Sequence, residues 1–460
     1  MSDWCSRLLS GVRFDESSTT GRNPISWPGY APRSAVQFGV GPVAGHDVVA
    51  CTWDFSVYGG SLGEAEASTF CAAADRAVER RLPLLTIVRT GGTRLQEGVA
   101  ALVGIPRTAL ALSDLAAARL PHISVADNPT TGGVWVSIVS QSDLRAGVQS
   151  ATVGFSGPRV ITAMTGEQIP PTANTAESAA AAGLLDAVLA PDELEEWVRR
   201  ALATTSRGDP VDIGAPTTVE PPTISGWAQV ERARTNDRRT GAQLLDVVLD
   251  DVVELGSADD TMRAVIGRSA ANRPTVGVAL AAQRQARPTP HGFALLRRGA
   301  RLADRLDLDL CTFVDTPGAD PLPPSEDGGL AAAIGDAMLA LLECTSPTLA
   351  VVHGEGGSGG ALAATVADRV VITTNGYFTA IAPEGAALAL RMSTEAAADN
   401  GAVTPAALRR LGFADACISP EPSELRRVVA AHLVELAGHP PRDRLDARRA
   451  RWQAPLRGRC

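Results

Sequence analysis

Asn128-Pro129-Thr130-Thr131-Gly132-Gly133-Val134 and Gly354-Glu355-Gly356-Gly357-Ser358-Gly359-Gly360-Ala361-Leu362 are the two stretches that decide the fold. Each puts a glycine pair between a strand-like run and an apolar segment. Upstream of the first, Leu82-Pro83-Leu84-Leu85-Thr86-Ile87-Val88 runs into Gly91-Gly92; upstream of the second, Leu308-Asp309-Leu310-Cys311-Thr312-Phe313-Val314 runs into Thr316-Pro317-Gly318. Gly92 to Gly133 is about 41 residues and Gly318 to Gly360 about 42. About 22 residues further on stand Phe155-Ser156-Gly157-Pro158 and Ala382-Pro383-Glu384-Gly385, with Asp143 and Asp368 in between. The halves are offset by roughly 227 residues, too long for a solenoid repeat, so the chain carries two copies of one domain.

Within each copy, strand-like runs alternate with helical ones. Residues 61–81 read as a helix with Phe70, Ala73, Ala74 and Ala77 on one side, and 299–306 as part of its counterpart. That alternation predicts α/β layers around a largely parallel sheet. The Pro-, Thr-, Gly- and Asp-rich stretch 204–224 has no apolar period. It sets the expected division: a first domain over 1–205, a linker over 206–225 and a second domain over 226–460.

A strand ending in Gly-Gly before a helix leaves unpaired N–H groups at the helix N-terminus, backed by the helix dipole. Such donors suit a developing negative oxygen, and glycine leaves room for the ligand or allows a positive φ. A glycine pair also serves where a helix and a strand pack closely, and the residues alone leave both readings open. A dinucleotide-binding turn fits poorly, because GxGxxG with a downstream acidic partner is absent.

Composition narrows the chemistry. Apolar residues make up 45% and charged residues 20% of the 460 positions, an ordinary globular balance. The net charge of −9 argues against nucleic-acid binding. All 42 basic residues are arginine, so Schiff-base chemistry, a lysine base and covalent biotin or lipoyl attachment are excluded. A swinging-arm cofactor is expected to arrive on a different protein. Seven scattered cysteines without a CxxC pair point away from a zinc ribbon or a disulfide framework and towards the cytosol. No basic-then-apolar leader is read at the start, and the apolar stretch 179–190, broken by Asp186, is too short to span a bilayer.

The ordered series Gly91-Gly92-Thr93-Arg94-Leu95-Gln96-Glu97-Gly98, Asn128 to Val134, and Gly154-Phe155-Ser156-Gly157-Pro158-Arg159-Val160 resembles the beta subunit of bacterial acetyl-CoA carboxylase carboxyltransferase. The second half resembles the alpha subunit through Gly226-Trp227-Ala228-Gln229-Val230, Phe313-Val314-Asp315-Thr316-Pro317-Gly318-Ala319, Gly354 to Leu362, and Ala382-Pro383-Glu384-Gly385. The resemblance spans roughly 55–200 and 226–440. It implies two tandem crotonase-like (ββα-spiral) domains and no metal at the reacting centre. A biotin carboxyl carrier protein, charged by a biotin carboxylase, would deliver carboxybiotin; the acceptor would be an acyl-CoA, in at least a homodimer. By motif, the amides of Gly132 and Gly133 would hold the acyl thioester oxygen, and those of Gly360 and Ala361 the ureido oxygen of biotin. Gly91, Gly92, Arg94, Arg159 and Trp135 would line the acyl-CoA side, with Gly359 and Glu384 on the biotin side.

Departures from the family pattern cluster where substrate or carrier would dock. The usual Gly-Glu-Lys is here Ala67-Ser68-Thr69, so Arg89, Arg94 or Arg159 would have to meet the CoA phosphates. The alpha subunit's Lys-Glu and Arg-Asn-Phe-Gly stretch is reduced to Gln283-Arg284-Gln285-Ala286-Arg287, and its Glu-Glu-Arg-Gly-Gln to Glu326-Asp327-Gly328-Gly329-Leu330. Arg94 reads equally as a phosphate contact or a structural ion pair, and Trp135 as a pocket wall or core. Glu355 and Glu384 read as structural, and His353 as a packed histidine beside the second glycine loop. Two rivals stay open: a decarboxylase of a malonyl-type thioester on the same two sites, and a non-catalytic carboxylase subunit. The acyl group is not legible.

Overall fold

The computed structural model describes residues 2–15 and 21–456. The chain divides into two compact units, 1–205 and 206–460. In the first, the sheet runs in the order Arg13–Phe14, Val36–Val43, His46–Trp53, Leu84–Thr90, His122–Thr131, Leu144–Val148, Ala187–Leu189. The first three strands pair antiparallel and the rest parallel. The second unit repeats this order with Leu249–Glu254, Arg263–Ser269, Pro274–Ala279, Asp309–Thr316, Thr348–Gly357, Arg369–Thr373 and Ala416–Ile418.

The duplication extends to register. The pairing Leu84↔His122 recurs as Cys311↔Leu349, both partners moved along by the same interval. In each unit a short strand, Val153–Gly154 or Tyr377–Thr379, pairs with the end of the strand that leads into the glycine turn. The central strands Asp309–Thr316 and Thr348–Gly357 are buried along their whole length, as parallel strands covered on both faces must be. Phe313, Leu349, Val351 and Val371 there meet Leu244, Leu245, Val429 and Leu433 from two helices.

The helix read over 61–81 runs over Glu64–Arg80. It starts late because Gly60 sits at φ 62° and Ser61 and Gly63 are extended. Its counterpart is Pro290–Leu306, which buries Phe293, Leu296, Ala300 and Ala303 at helical spacing. The stretch 206–225 is not a free linker. Arg268 donates to the Ser206 carbonyl at 2.7 Å, Val219 N–H to the Cys417 carbonyl at 2.9 Å, and Arg427 to Thr217 Oγ1 at 2.6 Å. Its backbone groups find partners on the second unit, as an ordered irregular segment requires.

The longest apolar helical span is not 179–190 but Val99–Ala117, with a mean hydropathy of 1.4 and long enough to cross a membrane by length and composition. It is broken into Val99–Leu102 and Gly104–Ala117, and Gly104, Thr108, Ala111, Leu112 and Leu115 form one buried side. Gly104 leaves only enough room for contact with Ala67 and Leu62. This is the pattern of an amphipathic layer helix. Cys5, Cys51, Cys311, Cys344 and Cys417 are buried free thiols and Cys71 is half-buried; Cys460 lies outside the described residues. Burial pushes the Cys5 and Cys417 thiols up to about 11, which leaves them protonated and inert.

Candidate active site: two glycine turns

The first turn forms where Leu84–Thr90 and His122–Thr131 end side by side. Thr90 Oγ1 accepts the Gly92 N–H at 3.0 Å, Gly91 N–H donates to the Gly59 carbonyl at 2.8 Å, and Gly92 stands at φ 114°. Gly132 follows at φ 71° and ψ −145°, and a Cβ there would lie 2.6 Å from Gly92 Cα. Both glycines are therefore set by the close approach of two backbones. The Gly132 N–H is not a free donor: it is spent on the carbonyls of Gly154 at 3.1 Å and Phe155 at 3.0 Å. That N–H is therefore not available for the oxyanion role expected of it. Gly133 and Val134 open the helix Gly133–Ser137, where N–H groups have no carbonyl four residues back.

The second turn repeats the plan. Thr316 Oγ1 accepts the Gly318 N–H at 3.2 Å, and Gly318 stands at φ 135°. The strand Thr348–Gly357 leads into the helix Ser358–Ala363. A Cβ on Gly360 would lie 2.7 Å from the Ala319 backbone nitrogen, whereas Gly359 faces open space. Ser358 stands at φ 64°, outside helical geometry, so Gly359, Gly360 and the buried Ala361 are the residues that open the regular helix, where N–H groups lack an intrahelical carbonyl.

Beside this turn lies a charged cluster that sequence reasoning missed. Arg234 bonds Glu384 at 2.5 Å and Glu355 at 3.2 Å, Tyr377 donates to Glu355 at 2.7 Å, and Arg238 pairs with Asp315 at 3.2 Å. The Arg234 hydrogen bond holds the Glu384 carboxyl below its usual range. Glu384, expected on the biotin side, is thus engaged by Arg234. Among the described residues no three His, Cys, Asp or Glu side chains converge as a metal site.

Residues 9–207 match the family described as the carboxyl transferase domain, and residues 222–439 the one described as acetyl co-enzyme A carboxylase carboxyltransferase-like. The acetyl-coenzyme A carboxylase carboxyl transferase subunits beta/alpha of Salinispora tropica are 36% identical over 91% of this chain and 81% of theirs. The chain belongs to the acetyl-CoA carboxylase carboxyltransferase family. A probable biotin-dependent acyl-coenzyme A carboxylase beta3 subunit of Mycobacterium tuberculosis is 34% identical over 91% of this chain and 88% of its own. Among solved structures, transcarboxylase 12S, with methylmalonyl-coenzyme A and methylmalonic acid bound, aligns at a TM-score of 0.80 and 22% identity over 94% of this chain and 89% of its own. The two sheets therefore form a crotonase-like carboxyltransferase fold.

Not every residue carried over from the carboxyltransferase motifs reaches the turns. Arg94 is fully buried. It pairs with Glu66 at 2.7 Å, donates to Ser61 Oγ at 2.6 Å, the Ser61 carbonyl at 2.7 Å and Tyr30 Oη at 2.9 Å, and lies under the Tyr58 ring. No edge of its guanidinium remains for CoA, so it is a structural ion pair. Arg159 does stand exposed, on the helix Pro158–Thr165. Trp135 is buried next to Gly133. Arg89 is held to the Asn128 carbonyl at 2.6 Å and stacks over Phe55.

His353 is buried against Phe313 and does not reach the second turn. Burial lowers it to about 4, with the Arg238 cation pushing the same way and Asp315 opposing. His432, also buried, is lowered to about 4. Between about 4 and the 6.5 of the unfolded chain, only the unfolded state holds these protons. Stability is therefore complete above about 6.5 and falls as the pH drops towards 4, by up to about 1.4 kcal/mol per pH unit per histidine. His353→Gln should flatten that acid limb by about one proton in urea titrations at pH 7, 6 and 5. An unchanged slope would show that His353 takes no part in it.

Proposed function

We propose that the chain moves a carboxyl group between carboxybiotin, carried on a residue outside this lysine-free sequence, and the α-carbon of an acyl-CoA. The observation that carries the reading is the pair of equivalent turns, each presenting helix N-terminal N–H groups beside one glycine, Gly132 or Gly360, that is pressed against another backbone segment. Gly133, with Val134, faces the thioester oxygen; Gly360 and Ala361, with Gly359, face the ureido oxygen. As the C–N bond of carboxybiotin breaks, its electron pair stays on the ureido group and carbon dioxide is released. The ureido nitrogen takes the α-proton, the thioester becomes an enolate at the first turn, and the enolate carbon bonds to carbon dioxide. Two preorganised anion sites and positioning suffice, without a side-chain base.

The acceptor side is bounded by Trp135 and by Arg159, the exposed cation available to CoA phosphates. A biotin carboxylase and a biotin carrier are the partners this chemistry requires. A homo-oligomer is supported by uncovered apolar side chains on or beside equivalent helices of the two units: Phe155 (70% exposed) and Met164 (80%) at Pro158–Thr165, and Leu388 (84%) and Leu390 (64%) in Pro383–Leu390. The buried free thiols support a reducing, cytoplasmic setting.

The test is turnover of malonyl-CoA and methylmalonyl-CoA by the purified protein, with biotin or a biotin carrier added or left out. Biotin-dependent carboxyl exchange is expected. Decarboxylation indifferent to biotin would replace this reading with a decarboxylase, and acyl-CoA binding without turnover would leave a non-catalytic subunit.

A further inference from the structure

The loop entering the helix Pro290–Leu306 differs from its counterpart in the first unit in one chemical respect. It carries Gln283-Arg284-Gln285-Ala286-Arg287, whereas the entry to Glu64–Arg80 carries Gly59-Gly60-Ser61-Leu62-Gly63, which has no arginine. The Thr316 hydroxyl that closes the second glycine turn donates to the carbonyls of Ala286 at 2.8 Å and Gly318 at 2.9 Å. One buried side chain thus fixes both the turn and the residue next to Arg287. From the position a Cβ on Gly318 would occupy, Arg287 Nη1 is 3.8 Å away and Ser358 Cβ 3.9 Å. The guanidinium and the start of the Ser358–Ala363 helix therefore flank the same glycine.

Its neighbours are all committed. Arg284 donates to the carbonyls of Thr235 and Arg238, Arg238 pairs with Asp315, and Arg234 with Glu384 and Glu355. Arg287 is exposed and, among the described residues, has no hydrogen-bond or ion-pair partner. A guanidinium offers a planar fork of donors and stays charged at every working pH. Placed at a helix N-terminus, it adds to the same field that favours an anion there. The first turn has no such addition, because Arg94, the arginine that follows it, is consumed by Glu66.

We infer that Arg287 is a catalytic residue of the second turn. Its guanidinium contacts the ureido oxygen beside Gly360 and stabilises the negative charge that collects there when the C–N bond of carboxybiotin breaks and its electron pair stays on the ureido group. Carbon dioxide leaves as the acceptor for the enolate carbon, and the ureido nitrogen ends with the α-proton, so the charge on Arg287 is unchanged over the cycle. This rests on the carboxyltransferase reading above.

The experiment compares the full chain with Arg287→Gln and Arg287→Lys in carboxyl exchange between malonyl-CoA and free biotin. Thermal midpoint and acyl-CoA affinity are recorded alongside. For Arg287→Gln we expect kcat to fall about 10- to 100-fold, the size of one lost charge-assisted hydrogen bond. The KM for malonyl-CoA and the thermal midpoint should not move, because the side chain is exposed and unpaired, and Arg287→Lys should recover most of kcat. Equal rates in wild type and Arg287→Gln, or a loss matched by a fall in thermal midpoint and not rescued by lysine, would overturn the assignment. Wild-type protein that binds malonyl-CoA yet exchanges no carboxyl with biotin would instead overturn the carboxyltransferase reading, and this inference with it.

Discussion

Replacing Gly360 by alanine is expected to cut biotin-dependent carboxyl exchange by on the order of 10²- to 10³-fold, the usual consequence of losing a preorganised oxyanion donor. The new Cβ would lie 2.7 Å from the Ala319 nitrogen and 3.0 Å from its Cβ, so a backbone segment, not a side-chain tip, has to give way. On the proposed reading, that shift carries the Gly360 N–H away from the ureido oxygen. Gly133→Ala makes a useful contrast: its Cβ would meet Ile105 Cδ1 at 2.7 Å, the end of a flexible side chain that can rotate aside. The loss there should be smaller, provided the acyl group tolerates the methyl. Gly335→Ala controls for the substitution itself, since that exposed helix position has nothing within 4 Å. It should leave turnover alone and stabilise slightly, by up to about 1 kcal/mol. Steady-state kcat and KM for the three variants decide the matter. Equal kcat in Gly360→Ala and wild type would remove the second turn from the mechanism.

The duplication was legible because its landmarks are small residues at fixed spacing, and a glycine forced by close backbone approach tolerates no substitute. Gly92 against Gly132, and Gly360 against Ala319, are such approaches. Thr90 and Thr316, whose hydroxyls close the two turns, repeat at the same interval as Gly92 and Gly318, but spacing alone does not show that they accept the glycine N–H groups. What the sequence could not supply was the direction of hydrogen bonds. Gly132 sits in the expected motif, yet Gly154 and Phe155 take its N–H because the short strand Val153–Gly154 lies alongside. The partners of Arg234 are 121 and 150 residues away, beyond the reach of spacing arguments. Helix starts were misplaced for a local reason: Gly60 at positive φ and an extended Ser61 delay the helix to Glu64. Residues 206–225 have the composition of a linker, and only their partners on the second unit show that they are held.

Arg94→Met should destabilise the protein by about 3–5 kcal/mol, the cost of leaving a buried charge without its partner. The side chain is 0% exposed, and its removal strands two carboxylates at once. Glu66 would keep only the N–H groups of Ala35 at 2.7 Å and Gly63 at 3.0 Å; Glu97 would keep the Tyr30 hydroxyl at 2.5 Å and the Glu64 N–H at 2.7 Å. Arg94→Lys should recover part of the loss, because an ammonium reaches Glu66 but cannot also span Ser61 and Tyr30 as a fork. Adding Glu66→Leu to Arg94→Met should likewise restore some stability, since an apolar pair often replaces a buried ion pair at little cost. Urea midpoints read all four proteins. The outcome also decides between the phosphate contact and the structural ion pair as the role of this residue. If Arg94 touched a CoA phosphate, Arg94→Met would weaken acyl-CoA binding and its salt dependence while leaving the urea midpoint in place. The structure requires the reverse order: the midpoint falls first, and catalysis follows. Arg94 stands two residues past Gly92, the glycine against which Gly132 closes, and loosening that loop frees the first turn to open.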